Sequence, residues 1–333
     1  MRILVTGGAG FIGSVYTRML LAGTADGASA GRDTPRAVTV LDALTYAGSL
    51  INLAPIIDHP HLAFVHGDIR DAALVRRLAA EHDQIVHFAA ETHVDRSIDD
   101  GTDFVSTNVA GTHTLLDAAV RAGIATFVQV STDEVYGSID HGAWKESQPL
   151  APNSPYAASK AAADLLCRSY QRTYGLDVRI TRCTNNYGPG QYPEKIIPLF
   201  TTRLLRGLSV PLYGDGTQRR EWLHVEDHCR GVELVRSRGR SGRVYHLGGG
   251  TELSNRELTE RLVDACDAAP EQVRNVPDRK GHDARYALDW TRARTELGYR
   301  PRHDLSTRLA DTVTWYLDHL DRYPPSQHAP AQT

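Results

Sequence analysis

Thr6-Gly7-Gly8-Ala9-Gly10-Phe11-Ile12-Gly13 stands between the apolar run Arg2–Thr6 and an amphipathic stretch over residues 11–21. Glycines at 7, 10 and 13 strip the turn of side chains. Backbone can then approach a pyrophosphate closely, and the helix that follows offers it free N–H groups and positive partial charge. A glycine-rich turn alone is common. One that joins a strand to a helix predicts a dinucleotide site, with Gly7, Gly10, Phe11, Ile12 and Gly13 against the cofactor.

Outward from this turn the same alternation repeats. Short apolar runs at Ala37–Asp42, 62–67, 84–89, 125–131 and 177–183 are separated by helical stretches at Ala72–Ala80, 102–122 and Pro155–Tyr174. Continuously apolar strands parted by helices predict a parallel sheet covered on both faces, a doubly wound α/β (Rossmann) fold. Asp42 closes the second strand, where a carboxylate grips the adenosine ribose hydroxyls and repels a 2′-phosphate, so NAD is expected rather than NADP. Its distance from Gly13 exceeds the usual ~20 residues. Segment 23–36, rich in Gly, Ala, Asp and Thr, reads as a surface loop that accounts for the excess. Asp68 and Ile69, ending the third strand, are placed beside the adenine.

After residue 186 the pattern loosens into Gly- and Pro-punctuated segments. The expected organisation is an NAD-binding domain over 1–186 to which 222–250 returns, a smaller substrate-binding domain from 187–221 and 251–322, and a flexible tail over 323–333.

Composition excludes several classes. The chain has 333 residues and a formal charge of −3, which argues against binding bulk nucleic acid and for small-molecule partners. Cys167, Cys183, Cys229 and Cys266 show no C-x-x-C spacing. Neither a disulfide framework nor a zinc ribbon is expected, and a reducing cytoplasm fits. No run approaches the ~20 apolar residues of a membrane span. His224-Val225-Glu226-Asp227-His228 sets two histidines one turn apart, but the acid is displaced from H-E-x-x-H and no metal is expected.

Two motifs carry chemistry. Tyr156 and Lys160 lie four apart on a predicted helix and share a face. A neighbouring ammonium and a cationic nicotinamide are expected to lower the Tyr156 pKa, giving a base for an alcohol proton while hydride leaves the carbon. Val130-Ser131-Thr132-Asp133-Glu134-Val135-Tyr136-Gly137 ends a buried strand with a hydroxyl and two acids. Adjacent strand side chains point to opposite faces, so both acids reach one site only if the strand ends at or before Thr132 and a turn or helix begins there.

These residues, with Ala89-Ala90-Glu91-Thr92-His93-Val94-Asp95-Arg96-Ser97, Asn185-Asn186-Tyr187-Gly188-Pro189, Pro193-Glu194-Lys195-Ile196-Ile197-Pro198 and Asp278-Arg279-Lys280-Gly281-His282-Asp283, resemble the extended short-chain dehydrogenase/reductases that act on nucleotide sugars, in their 4,6-dehydratase branch. The likeness covers nearly the whole chain. It implies NAD as cofactor, dTDP-glucose as substrate and a homodimer paired through 102–122 and 155–174. It also implies that Leu44, Thr45, Ala89, Ala90, Thr92, Thr107 and Asn186 meet the cofactor. Thr92, Thr132, Asn185, Lys195, Pro211, Tyr213, Arg220, Asn255, Arg279 and His282 are implied at the substrate. Carried over in the same way, Glu134 is the base for C5 and Asp133 the acid for the C6 hydroxyl, assisted by Thr132, Tyr156 and Lys160. For Asp133 to donate, desolvation and repulsion from Glu134 must raise its pKa.

The family more often has Asn-x-Arg-Asp-Trp where this chain has Gln218-Arg219-Arg220-Glu221-Trp222. Arg219 and Arg285 are further candidates for a diphosphate, which suits the planar guanidinium fork. Dehydratases or epimerases of UDP- and GDP-sugars, and a non-catalytic NAD-binding protein, remain the alternative readings. Thymine and uracil differ by one methyl, worth only ~1 kcal/mol in a pocket.

Overall fold

The computed structural model describes residues 1–24 and 35–324, so most of the loop read over 23–36 and of the tail read over 323–333 lies outside the described residues. In chain order the strands are β1 Arg2–Thr6, β2 Ala37–Asp42, β3 Leu62–His66, β4 Gln84–His87, β5 Thr126–Thr132, β6 Val178–Cys183, β7 Asn185–Tyr187, β8 Val210–Tyr213, β9 Arg219–His224, β10 Val244–Leu247, β11 Thr251–Ser254 and β12 Val273–Val276. Seven of them form one sheet in the order β10-β6-β5-β4-β1-β2-β3, every pairing parallel. The chain leaves β1 toward β2 and β3 on one side and toward β4, β5 and β6 on the other. The strand order therefore reverses between β1 and β4, and a crevice opens at their carboxyl ends, the place where open α/β sheets bind ligands.

Apolar strand residues face both ways because helices cover both faces. On one side Ile3, Val5, Val38 and Val128 pack with Tyr16 and Leu20 of helix Phe11–Ala22 and with Val232 and Val235 of helix Val225–Arg238. On the other, Leu4, Ile85, Phe127 and Ile180 pack with Leu78, Leu115, Leu116 and Cys167. A third core, including Tyr187, Phe200, Leu258 and Leu309, lies beside a three-stranded sheet in the order β11-β9-β7 and the parallel pair β12-β8.

The helix expected over 102–122 is divided. A short α turn at Thr102–Phe104 leads into a π-helical segment, Val105–Gly111, before α geometry resumes at Thr112–Ala122. Buried Asn108 accounts for the widening: its Oδ1 accepts the Glu91 N–H at 2.8 Å, and its Nδ2 donates to Glu91 O at 3.0 Å and Ser159 Oγ at 2.8 Å. Such single-turn expansions recur at functional sites, and Thr107 of this segment faces the crevice.

Candidate active site

The crevice is a cleft of about 940 Å³. Its cofactor end is built by the glycine turn. Gly7 has φ +71°, and a Cβ there would meet Ala89 N at 2.5 Å; a Cβ on Gly13 would meet Gly7 O at 2.2 Å. Gly10 caps helix Phe11–Ala22 with no side-chain hydrogen bond. The first N–H groups of that helix are thus left for a ligand, and the bare backbone cradle fits the pyrophosphate of a dinucleotide. Asp42 lies where the ribose reading requires, with Oδ2 accepting Ala9 N–H at 2.9 Å and Oδ1 accepting Leu44 N–H at 2.8 Å. These bonds hold the carboxylate in place and leave lone pairs for ribose hydroxyls.

β5 ends at Thr132, and Asp133–Tyr136 forms a 3₁₀ turn whose Glu134 N–H donates to Thr132 Oγ1 at 3.3 Å. Both acids consequently line the cleft. Below them, Tyr136 on the same turn is fixed by its hydroxyl. It receives a hydrogen bond from Arg182 and lies 2.7 Å from His246 Nε2, while Arg182 Nε donates to buried Asp164 at 2.8 Å. Asp133 is 2% exposed, and its Oδ2 has no hydrogen-bond partner in the protein. Burial, and then repulsion from Glu134, pushes its carboxyl well above the usual carboxylate range. Burial also raises Glu134, opposed by Lys195, Arg220 and Arg279. One acid is therefore kept protonated more strongly than its neighbour, the requirement for an acid and base side by side.

Ser154 Oγ accepts the Ala157 N–H at 3.1 Å and Pro155 occupies the first turn, so helix Pro155–Tyr174 starts where Tyr156 and Lys160 can face β5. Lys160 Nζ donates to Val130 O at 2.8 Å. The expected lowering of Tyr156 does not occur in the protein alone: burial, Glu134, Cys183 and Asp133 push the phenol well above its ordinary value, against a smaller opposite effect from Thr132. Lys160 is itself lowered by burial, with Asp164 partly restoring it.

The residues singled out from the sequence for cofactor, catalysis and substrate line this one cleft, except Leu44 and the two further diphosphate candidates Arg219 and Arg285. Leu44 takes a positive φ of 50° and packs against the sheet core instead. At the far end, Arg220 lies over the Tyr286 ring at 4.4 Å and donates to Asp283 O at 2.9 Å. Arg279 pairs with Asp95 at 2.7 Å and lies over Tyr213 at 5.1 Å. Lys195 Nζ donates to Thr92 O at 2.6 Å. Arg219 and Arg285 do not reach the cleft; both pair with Glu252, at 2.6 and 2.9 Å. Asp95, Asp283 and Tyr286, absent from the sequence-derived set, line the cleft and hold its arginines. Asp283 accepts from Asn153 at 2.6 Å and from the Tyr286 hydroxyl. Asp95 and Asp283 lie inside motifs already quoted, but their partners are remote in sequence.

Known proteins share this fold and much of this sequence. The family model described as GDP-mannose 4,6 dehydratase matches residues 4–312. A dTDP-glucose 4,6-dehydratase of Streptomyces antibioticus is 61% identical over 99% of this chain and 97% of its own length. The crystal structure of a dTDP-glucose 4,6-dehydratase from Streptomyces venezuelae with NAD bound has a TM-score of 0.94 and 60% identity, covering 98% of this chain and 99% of that one. At greater distance, a UDP-glucose 4-epimerase of Thermus thermophilus in complex with NAD has a TM-score of 0.84 and 32% identity, covering 96% of this chain and 99% of that one. The chain belongs to the nucleotide-sugar 4,6-dehydratase family, and within it stands with the dTDP-glucose 4,6-dehydratases.

Proposed function

We infer that the chain is an NAD-dependent hydro-lyase that converts dTDP-glucose to dTDP-4-keto-6-deoxyglucose and water. The observation that supports this reading best is the Asp133–Glu134 pair in the cleft that also holds Tyr156 and Lys160. An alcohol-oxidising site needs only the latter two. Elimination of water across C5 and C6 needs an acid and a base besides.

Bound NAD would take hydride from C4 and deliver it to C6. Tyr156, assisted by Thr132 and held near Lys160, takes the C4 hydroxyl proton. The resulting 4-keto group acidifies C5–H. Glu134 removes that proton while protonated Asp133 gives its own to the departing C6 hydroxyl, so one water leaves and the ring gains a C5–C6 double bond. Hydride at C6 and a proton returned to C5 complete the product. We assign the diphosphate to Arg220 and Arg279, whose forks suit it, and the remaining contacts to Thr92, Asn185, Lys195, Pro211, Tyr213, Asn255 and His282.

With C4-deuterated substrate, label is expected at C6, and in heavy water C5 is expected to gain deuterium. Failure of either would refute the cycle. Glu134→Gln should retain C4 oxidation and lose elimination. Rates on dTDP-, UDP- and GDP-glucose test the base preference.

We further propose a division into the NAD-binding and substrate-binding domains read from the sequence, with 222–250 returning to the first. Supporting it, β10 joins the large sheet beside β6, whereas β7, β9 and β11 form a separate one. A homodimer through 102–122 and 155–174 is supported by exposed Val105, Leu165 and Tyr174. A cytoplasmic location is supported by four free thiols. No helix among the described residues is long and apolar enough to cross a membrane.

A further inference from the structure

We propose that His224, Glu226 and His303 form a site for one divalent cation of the zinc class, separate from the cleft. None of the three lines the cleft. His224 ends β9, Glu226 opens helix Val225–Arg238, and His303 comes from the chain leading into helix Leu305–Asp318. One ligand atom of each lies within 4.8 Å of the other two. The His224 side chain is 4% exposed and that of His303 11%, and their rings lie 4.4 Å apart.

The geometry around His303 points to a missing positive charge. Its Nε2 is 3.1 Å from Glu226 Oε2 and its Nδ1 is 3.1 Å from Asp227 Oδ2. A neutral imidazole carries one proton, so one ring nitrogen must present its lone pair to a carboxylate. Nδ1 is buried and makes no well-directed hydrogen bond. A cation resolves the conflict by engaging Nε2, Glu226 and His224 while Nδ1–H faces Asp227, the carboxylate–histidine–metal arrangement. Two imidazoles and one carboxylate with a position left for water suit Zn²⁺, whereas Mg²⁺ and Ca²⁺ favour oxygen donors throughout. Arg230 pairs with Asp227, and Arg308, paired with Asp311 at 3.0 Å, stands near both rings. These charges oppose any divalent cation, so selectivity for the zinc class rests on the two imidazole donors. The competing arrangement is a proton alone: imidazolium His303 clamped between Glu226 and Asp227, with His224 Nδ1 merely accepting the Glu226 N–H at 3.4 Å.

Zinc chloride alone is titrated into chelator-stripped full-length protein carrying Cys266→Ser, since Cys266 is the one partly exposed thiol among the described residues. Calorimetry should find one equivalent, and thermal unfolding should shift upward with Zn²⁺ but not Mg²⁺. His303→Ala and, for a variant at an exposed side chain, Glu226→Gln should each weaken binding about tenfold or more and abolish the shift. Absence of binding, binding of equal strength in both variants (an adventitious ion only), or a His303→Ala destabilisation that is the same with and without zinc would overturn the proposal.

Discussion

Asp164→Asn is the sharpest test of how the scaffold serves the acids. Asp164 and Arg182 are 0% and 1% exposed and paired at 2.8 Å. The substitution keeps the shape but leaves a guanidinium that cannot shed its charge in a dry interior. Removing one partner of a buried pair costs ~3–5 kcal/mol. The amide oxygen still accepts from Arg182, so the lower end, about 3 kcal/mol, is expected. Unfolding entropy of ~2.1 cal/mol/K per residue over a chain of this length gives roughly 0.7 kcal/mol/K, hence a Tm lower by about 4 °C. A second effect follows from position. Asp164 is the group that most supports the Lys160 ammonium against burial. Without it Lys160 loses its proton at lower pH, and the alkaline limb of C4 oxidation should move toward neutrality. Urea unfolding and a pH–rate profile measure the two. The double variant Asp164→Leu with Arg182→Met should recover most of the stability and none of the pH shift. An unfolding free energy within about 1 kcal/mol of the parent, or an unmoved alkaline limb, would refute the argument.

Asp133→Asn should abolish elimination yet stabilise the fold at neutral pH. The Asp133 pKa is raised on folding, so its contribution to stability is full below the ordinary aspartate value and is lost as pH rises through the folded value; the variant's advantage should grow over that window and be absent in acid. Gly13→Ala places a Cβ 2.2 Å from Gly7 O and should raise the NAD dissociation constant by tenfold or more, with little change in secondary structure by circular dichroism. Arg220→Lys loses the fork and the stacking on Tyr286, and should raise KM for the sugar nucleotide more than it lowers kcat.

The sheet was readable because most of its strands are buried on both faces and rich in apolar residues, the edge strand β3 being only partly covered. The glycine turn was readable because its physical requirement, absent side chains, is itself a sequence feature. The turn at Thr132 followed from the pleat: two adjacent acids cannot share a strand face. Features that depend on distant partners were not readable. The π segment needs Glu91 and Ser159 around Asn108. Arg279 is held by Asp95, 184 positions away, while Arg219 and Arg285 are taken by Glu252. Leu44 packs toward the sheet core, its N–H donating to the nearby Asp42 carboxylate. The Tyr156 shift had the opposite sign because burial first, and then the charge of Glu134 and its neighbours, raises the phenol.

The widened turn at Val105–Gly111 bears on length as well as shape. Each residue of an α-helix turns the chain by about 100°. The wider i→i+5 turn takes up one residue more within the same rotation, so deleting one residue here would let ordinary helical bonding run through and leave Thr112–Ala122 facing the sheet as before. Thr112 would keep His87, which it meets at 3.0 Å, and Leu115 and Leu116 would stay on the sheet, while the contacts of Asn108 with Glu91 and Ser159 would be lost. Surface loops usually absorb changes in length; here a helix of the covering layer does so, and the surplus residue, kept in place by Asn108, reshapes the wall of the cleft at Thr107 without disturbing that layer.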